Sequence, residues 1–351
     1  MRYENVCLEG IACTLPDEIV TSAELESRLA PLYGRLKLPE GRLELMTGIV
    51  ERRLWPAGTL PGEISALTAR KVLNATGVPN DAVGLLVHGS VCRDFLEPAT
   101  ACGVHRRLGL SPGCLVYDVS NACLGLLNGM VQAANMIELG QIEAALVVGT
   151  ESSRAILEST IEHLNGDLSL TRDSVKSAIA SLTLGSGSAA VLLVHRRRSR
   201  TGNVLLGGVF RANSQGADLC QSTRDETLGG AAGPLMQTDS EALLRHGVET
   251  AKAAFAEFRR EVGWRTADIH RTFCHQVGRM HQRALFEALG LSPAVDYPTV
   301  AFLGNTGAVA VPITAALGVQ NRQVRPGDKV ALLGIGSGIN ALMLAVEWGE
   351  A

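Results

Sequence analysis

Charged residues are scarce in this chain of 351 residues: they make up 19% of it, against 46% for hydrophobic residues. The formal net charge is −3 and the pI is near 6.3. This composition lacks the basic excess that nucleic acid or an anionic membrane surface attracts, so we expect no nucleic-acid partner. An apolar chain of this length is typical of α/β proteins whose parallel sheets are buried on both faces.

Paired cysteines are also missing. The eight cysteines are scattered and include no CxxC pair, which argues against both a zinc site and a disulfide framework. Reduced, unpaired thiols are typical of cytoplasmic proteins, and we expect a cytoplasmic location.

Long uncharged apolar runs are absent as well. The longest candidate, 305–320, contains Pro312 and predicts a buried helix instead of a membrane span. The first nine residues carry charges where a signal peptide has its apolar region. We therefore expect no membrane span and no secretion signal.

What the chain does contain is a repeated pattern. Two apolar strands end in histidine, at His88 and His275, and two glycine-rich strands begin with Gly-Ser-Gly, at Gly185 and Gly336. The first pair is 187 residues apart and the second pair 151, so we expect about 36 extra residues in the first half, near 151–181. An apolar helix is predicted in each half, at 122–140 and 306–317. The pattern predicts two duplicated α/β halves, 1–195 and 203–351, joined by a solvated basic connection.

A polar, glycine-rich stretch covers residues 213–240. So long a loop in a compact protein is usually functional or disordered. We expect it to cover the mouth of the active site.

Cys123 is the candidate nucleophile. It follows a predicted strand, 114–120, and opens an apolar helix. A helix N-terminus offers free N–H groups and a positive dipole end, which favour a thiolate, and the Cys123 N–H is suited to one half of an oxyanion hole. A small buried core cysteine is the alternative that Cys123 alone leaves open.

His275 and Asn305 are the partners that the rest of the sequence offers. His275 lies just past a strand, where a neutral imidazole could donate to a thioester oxygen as that oxygen gains charge. The Asn305 side-chain amide could do the same without titrating. A structural histidine and a turn or helix-capping asparagine are the alternatives.

The segment Gly334-Ile-Gly336-Ser337-Gly338 fits neither a dinucleotide loop nor a serine-hydrolase elbow. The third glycine of the first motif is missing, a strand is predicted after it, and no G-x-S-x-G occurs within this segment. We interpret it as a tight turn in which the Ser337 N–H completes the oxyanion hole.

These motifs together carry a resemblance to a known superfamily. Thr47-Gly-Ile-Val-Glu-Arg-Arg53, Asn121-Ala-Cys-Leu-Gly125, His275-Gln276 and Gly304-Asn-Thr306 resemble, in order, the signatures of the β-ketoacyl-ACP synthase III branch of the thiolase superfamily. The resemblance covers nearly the whole chain. It implies the five-layer α-β-α-β-α thiolase fold, with two duplicated halves, assembled as a homodimer.

Within that branch, Ser90 to Thr100, Glu51 to Trp55 and Ala331 to Gly338 are similar to the OleA family, which joins two fatty acyl-CoAs head to head. In that family the glutamate matching Glu97 comes from the neighbouring subunit and acts as the base. Condensing two ordinary acyl thioesters requires removal of an α-proton, whereas a malonyl donor gains its carbanion by losing CO₂. A surface glutamate is the alternative for Glu97.

The resemblance therefore implies an acyltransferase that carries out a non-decarboxylative Claisen condensation through an acyl-Cys123 intermediate. It implies acyl-CoA substrates, no cofactor, and a 2-alkyl-3-ketoacyl product that the family releases as the β-keto acid. The alternatives are a β-ketoacyl-ACP synthase III that uses malonyl-ACP, an acyl-CoA hydrolase or O-acyltransferase, and an inactive acyl-binding partner subunit. Arg52, Arg53 and Arg279 are candidates for the CoA phosphates, with surface or ion-pair roles as the alternative.

Overall fold

Thirteen strands are seen in the computed structural model of the protein, which describes residues 1–222 and 235–349. In chain order they are β1 Val6–Thr14, β2 Glu18–Thr21, β3 Glu51–Leu54, β4 Val83–Gly89, β5 Leu115–Val119, β6 Ala144–Glu151, β7 Gly187–His195, β8 Val204–Ala212, β9 Cys220–Ser222, β10 Met236–Thr238, β11 Arg271–Cys274, β12 Lys329–Gly336 and β13 Asn340–Glu347.

The α-helices of the same ranges are α1 Ser22–Arg28, α2 Ala30–Leu36, α3 Arg42–Thr47, α4 Pro61–Thr76, α5 Thr100–Leu108, α6 Gly125–Glu138, α7 Arg154–Gly166, α8 Ser240–Val262, α9 Arg279–Leu289, α10 Val300–Leu303 and α11 Ala310–Gln320. No helix within the described ranges is both long and apolar enough to cross a bilayer.

The strand order shows the duplication. Nine strands are hydrogen-bonded in the order β11-β12-β13-β8-β1-β7-β6-β4-β5, and the two halves meet where β1 and β8 pair antiparallel through Cys7 and Val204. Outward from that junction, the two halves have the same succession of strands. The first half runs β1, β7, β6, β4, β5, and the second runs β8, β13, β12, β11, followed by a single bridge at Asp296 in the place of a fifth strand. In both halves the strands that precede the crossover are parallel to their neighbours, β4 to β6 and β11 to β12.

Three apolar clusters separate the layers. The central cluster packs α6 and α11 between the strands of the two halves. A second cluster packs α4 and α5 on the outer face of the first half, and a third packs α8 and α9 on the outer face of the second. The result is the predicted α-β-α-β-α order. Helix α11 is apolar all round, as expected for a helix buried between two sheets.

Close backbone contact fixes the start of α6 against the sheet. A Cβ added at Gly89, the last residue of β4, would lie 2.6 Å from the Leu126 Cα and 2.7 Å from the Gly125 oxygen. A Cβ at Gly125 would lie 3.1 Å from the Val119 oxygen. Only glycine permits this approach, so the helix that follows the nucleophile is seated on the ends of β4 and β5.

The extra residues of the first half lie where the two offsets placed them. Between β6 and β7 the chain forms α7, whereas β12 and β13 are joined by a tight turn. Leu157, Ile161 and Leu164 of α7 pack on residues of α1, α2 and α3 in a separate apolar cluster. The excursion is therefore helical, but one of its faces is buried.

The tight turn predicted at Ser337 is present: Ser337–Ile339 join β12 to β13, so the glycine-rich strand predicted there begins only after the turn. The stretch 213–240 contains the short strands β9 and β10, which pair with each other, while its central part, 223–234, lies outside the described residues.

The connection between the halves holds a short turn, Arg196–Arg198, in which Arg197 and Arg198 form ion pairs with Glu143. The boundaries at 195 and 203 stay a prediction.

Candidate active site

Cys123 lies in a sharp turn between β5 and α6. The preceding residue, Ala122, has a φ of 44°, a left-handed conformation that a residue with a side chain rarely adopts. The Leu124 N–H donates to the Asn121 oxygen at 2.8 Å, which closes the turn. The sequence predicts Cys123 at a helix N-terminus. In the structure one residue, Leu124, separates Cys123 from the start of α6 at Gly125.

The Cys123 thiol is held neutral by its surroundings. The pKa of Cys123 is raised to about 12, mainly by burial and in smaller part by the charges of Glu151 and Cys220, while the backbone N–H groups of Ser337 and Cys123 act in the opposite direction. The helix-terminus effect expected from the sequence is therefore present but outweighed by burial. Cys220 stands in the expected mouth segment, so the described start of that segment lies beside the nucleophile.

Ser337 brings the second half of the protein to Cys123. Its backbone N–H lies close enough to the Cys123 sulfur to lower the pKa of that thiol, and a Cβ added at the neighbouring Gly336 would lie 3.4 Å from the Cys123 nitrogen and 3.5 Å from its Cβ. The two N–H groups expected to form an oxyanion hole thus converge at one sulfur, although 214 residues separate them in sequence.

His275 is the first residue after β11, and its N–H donates to the Leu333 oxygen of β12 at 2.9 Å. Because β11 and β12 are parallel, His275 and the Ser337 turn lie at the same edge of the sheet. Burial lowers the pKa of His275 to about 4, with a contribution from His281, and the buried Nδ1 has no hydrogen-bond partner among the residues that the structure describes. The imidazole is therefore neutral at pH 7, as the proposed donor role requires.

Gln276 explains the second residue of the His-Gln motif. Its Oε1 accepts the N–H groups of Thr299 and Val300, both at 2.7 Å, and its Nε2 donates to the Tyr297 oxygen at 3.1 Å. The buried amide fixes the segment that leads through α10 to Asn305 against the end of β11.

Asn305 is held by the first half of the protein. Its N–H donates to the Thr183 oxygen at 2.8 Å, and its carbonyl accepts the Gly185 N–H at 2.9 Å. The side-chain Oδ1 accepts the Gly307 N–H at 3.0 Å. The turn role that we weighed against a catalytic one is therefore real, and it uses the oxygen of the amide, not its NH₂ group.

Sequence reasoning missed Glu151 as part of the site. This buried residue ends β6, and its carboxylate accepts the N–H groups of Val91 at 2.9 Å, Cys92 at 3.3 Å and Ala308 at 3.3 Å. Burial raises its pKa, while the Val91 N–H and other donors lower it. The sequence puts Glu151 at the start of the predicted insertion, and the signal it offers is a lone carboxylate that ends a strand of small and apolar residues followed by one threonine.

Glu97 lies on the surface of the chain. It follows β4 in the segment 90–99, where Phe95 and Leu96 are also exposed, by 58% and 54%. The carboxylate that acts on Cys123 within the same chain is Glu151 instead.

The three arginine candidates differ in accessibility. Arg52 is fully buried and donates to the oxygens of Ser22 and Leu182, so it is not available to CoA and that candidate role is wrong. Arg53 donates to the Pro16 oxygen at 2.9 Å. Arg279 is exposed at the first turn of α9.

Two family models match the chain. Residues 46–179 match the N-terminal domain of thiolase, and residues 260–348 match the C-terminal domain of 3-oxoacyl-[acyl-carrier-protein] synthase III. An acyl-CoA:acyl-CoA alkyltransferase of Shewanella oneidensis is 40% identical over 99% of this chain and 100% of its own length. The chain belongs to that family. A second member, from Xanthomonas campestris pv. campestris, is 34% identical over the same shares.

Solved structures give the same family and confirm the thiolase fold. The crystal structure of Xanthomonas campestris OleA with bound lauric acid and lauroyl-CoA has a TM-score of 0.92 and 34% identity, covering 99% of this chain and 100% of that one. The β-ketoacyl-[acyl-carrier-protein] synthase III 5 of Streptomyces coelicolor is a more distant relative, at 27% identity. The chain is thus a condensing acyltransferase of the thiolase superfamily.

Proposed function

We propose that this member of the alkyltransferase family joins two fatty acyl-CoAs by a non-decarboxylative Claisen condensation. The observation that carries the proposal is the convergence of the Cys123 and Ser337 N–H groups at the Cys123 sulfur, at the sheet edge where the neutral His275 also lies, in a chain 40% identical to an acyl-CoA:acyl-CoA alkyltransferase. The lauroyl-CoA bound by the Xanthomonas relative supports acyl-CoA as the substrate class.

The first step is transfer of an acyl group to Cys123. The sulfur attacks the thioester carbonyl, the N–H groups of Cys123 and Ser337 stabilise the oxyanion, and CoA leaves with the thiol proton as free CoA-SH. A thiol with a pKa of about 12 loses its proton only as attack proceeds. Acyl transfer of this kind consumes no oxidant and no base, and no cofactor enters the proposal.

In the second step an α-carbon of another acyl-CoA becomes the nucleophile. Glu97 of the partner subunit takes its α-proton, and His275 and Asn305 donate hydrogen bonds to the enolate oxygen. The carbanion attacks the acyl-Cys123 carbonyl, the bond to sulfur breaks, and the Cys123 thiolate is regenerated. The product is a 2-alkyl-3-ketoacyl-CoA, and the proton held by Glu97 returns to the Cys123 thiolate. Water then cleaves the product thioester, which gives the β-keto acid and CoA-SH.

Glu97 is assigned the role of base on two observations. Solved variants of the Xanthomonas relative include substitutions of one glutamate and one cysteine that are 26 positions apart, the separation of Glu97 and Cys123 here. The exposure of Glu97 in its own protomer fits a carboxylate that acts across a subunit interface.

A homodimer is part of the same proposal. Strand β5 is an edge strand of the nine-stranded sheet, and its Leu115 is 48% exposed. Phe95 and Leu96, in the segment that follows β4, are exposed to a similar degree. An open, apolar sheet edge is a ready surface for a second copy. A cytoplasmic location also stays a proposal.

The test is incubation with myristoyl-CoA alone, followed by mass spectrometry of the products. The proposal predicts a β-keto product with two acyl chains, absent with Cys123→Ala. A product that forms only when malonyl-ACP is supplied would assign the chain to β-ketoacyl-ACP synthase III chemistry, and release of myristic acid alone would make it a hydrolase.

A further inference from the structure

A row of three asparagine side chains joins the two segments that supply the oxyanion N–H groups. Asn340, the first residue of β13, donates through Nδ2 to Asn121 Oδ1 at 3.3 Å, and Asn121 Nδ2 donates to Asn128 Oδ1 at 2.8 Å. Asn121 stands two positions before Cys123, and Asn128 lies on the first turn of α6. The row therefore runs from the second half of the protein into the nucleophile turn.

The same Asn340 amide also holds the Ser337 turn. Its Nδ2 lies 3.4 Å from the Ser337 oxygen, and a Cβ added at Gly338 would lie 2.5 Å from it, so the turn wraps closely around this side chain. The two hydrogens of one NH₂ group thus contact the Ser337 turn and the nucleophile turn at once.

The position of these contacts matters for the chemistry. The two N–H donors belong to different halves, 123 and 337, and the register between the halves is otherwise set by large packed surfaces. Misplacement of one donor by about 1 Å is enough to cost on the order of 100-fold in rate. The Asn340 side chain bonds directly to the Ser337 turn and to the turn that contains Cys123. It can therefore fix the distance between these two turns more exactly than packing alone.

We propose that Asn340 is a positioning residue for the oxyanion hole, acting through Asn121 and the Ser337 turn, with Asn128 fixing the orientation of the Asn121 amide. This rests on the acyl transfer to Cys123 proposed above. It adds a role for three residues that contact neither the acyl group nor CoA in that mechanism.

The experiment compares two reactions of the same sulfur. Acylation by myristoyl-CoA passes through an oxyanion, whereas alkylation by iodoacetamide does not. In Asn340→Leu, which removes both donor hydrogens at similar volume, we expect acylation of Cys123 to slow by about 10- to 100-fold. Alkylation should slow by a clearly smaller factor, because the displaced N–H groups also favour the thiolate that iodoacetamide attacks. Both rates are followed by mass spectrometry of the intact protein at one pH.

Asn80→Leu is the matched control. It removes one side-chain amide, bonded at 2.7 Å to the Leu108 oxygen before the start of β4, at the opposite end of the strand from the site. Both of its rates should equal those of the wild type. If Asn340→Leu does not fold, Asn128→Leu carries the same comparison, with an expected loss in acylation of about 3- to 10-fold.

Three outcomes would overturn the inference. An unchanged acylation rate would remove the role, and an equal loss in both reactions would reduce it to a general structural one. Absence of both acyl-Cys123 and a condensation product in the wild-type protein would overturn the proposed function, and with it the inference. Either of the first two outcomes, beside a wild type that is acylated or condenses normally, would overturn the inference alone.

Discussion

At the scale of single residues, the site pairs a nucleophile and a donor that are both uncharged. Burial holds the pKa of Cys123 near 12 and that of His275 near 4. Neither group changes charge between pH 5 and pH 9, so the resting site presents a thiol and a neutral imidazole to an incoming thioester.

The thiol makes alkylation strongly pH-dependent. Because only the thiolate reacts, the rate of Cys123 alkylation by iodoacetamide should rise by about tenfold per pH unit from pH 7 to pH 10, without a plateau. Intact-mass kinetics would measure it, with Cys123→Ser reporting the background from the other cysteines. A plateau below pH 9 would show a thiolate that the burial of this site does not predict.

The imidazole links stability to pH. The folded pKa of His275 lies below its unfolded value of 6.5, so its contribution is complete above pH 6.5 and is lost as pH falls toward 4. The variant His275→Gln has no imidazole to protonate, so it should not show this pH-dependent loss of stability. The free energy of unfolding of the wild type, relative to that variant, should drop by about 2–3 kcal/mol between pH 7.5 and pH 4.5, as measured by urea denaturation. A difference that does not vary with pH would contradict the assignment.

At the scale of elements, the nucleophile is positioned by close backbone contact between α6 and the ends of β4 and β5. Gly89→Ala places a Cβ 2.6 Å from the Leu126 Cα, and since backbone cannot move aside, we expect a loss of about 2–4 kcal/mol in the free energy of unfolding. Slower acylation of Cys123 should accompany it.

Gly34→Ala supplies the control for that substitution. Nothing lies within 4 Å of a Cβ at Gly34, which is exposed on α2. The exchange should stabilise the protein by about 0.5–1 kcal/mol. Thermal and urea unfolding of Gly89→Ala and Gly34→Ala would measure both changes in stability. Equal changes would mean that the close contact between β4 and α6 does not contribute to stability.

The elements also show what sequence reasoning reaches. The strand before Cys123, the helix after it and the Gly-Asn turn at Asn305 follow local patterns of apolar residues and glycines, and they lie where predicted. The contacts of Glu151 with Val91 and Ala308, and those of Asn340 with Asn121, join segments far apart in the chain. No local pattern encodes such partners. The pKa of Cys123 was missed for the same reason: the helix N-terminus is local, whereas the burial that outweighs it is assembled from both halves.

At the scale of the whole molecule, the proposed mechanism requires two subunits. If Glu97 acts across the interface, a site needs Cys123 from one chain and Glu97 from the other. Cys123→Ala and Glu97→Gln proteins, each inactive in condensation, should therefore regain activity when their subunits are exchanged. Random exchange makes half of the dimers mixed, each with one intact site, so about a quarter of the wild-type activity is expected.

Subunit exchange by mild unfolding and refolding, followed by the condensation assay, makes this measurement. Refolding of Cys123→Ala with the double variant, Cys123→Ala with Glu97→Gln, is the control and should regain nothing. Failure of the productive mixture to regain activity, while refolded wild type does so fully, would place Glu97 in its own subunit's site or outside the reaction.

The central claim is that Cys123 carries one acyl chain while a second acyl-CoA is deprotonated and attacks it. The most direct test is a single-turnover chase: protein acylated with carbonyl-labelled myristoyl-CoA is freed of CoA and mixed with unlabelled lauroyl-CoA. The account predicts a mixed-chain β-keto product with the label at its ketone carbon, formed as label leaves Cys123. Label released only as myristic acid, or a product without label, would contradict it.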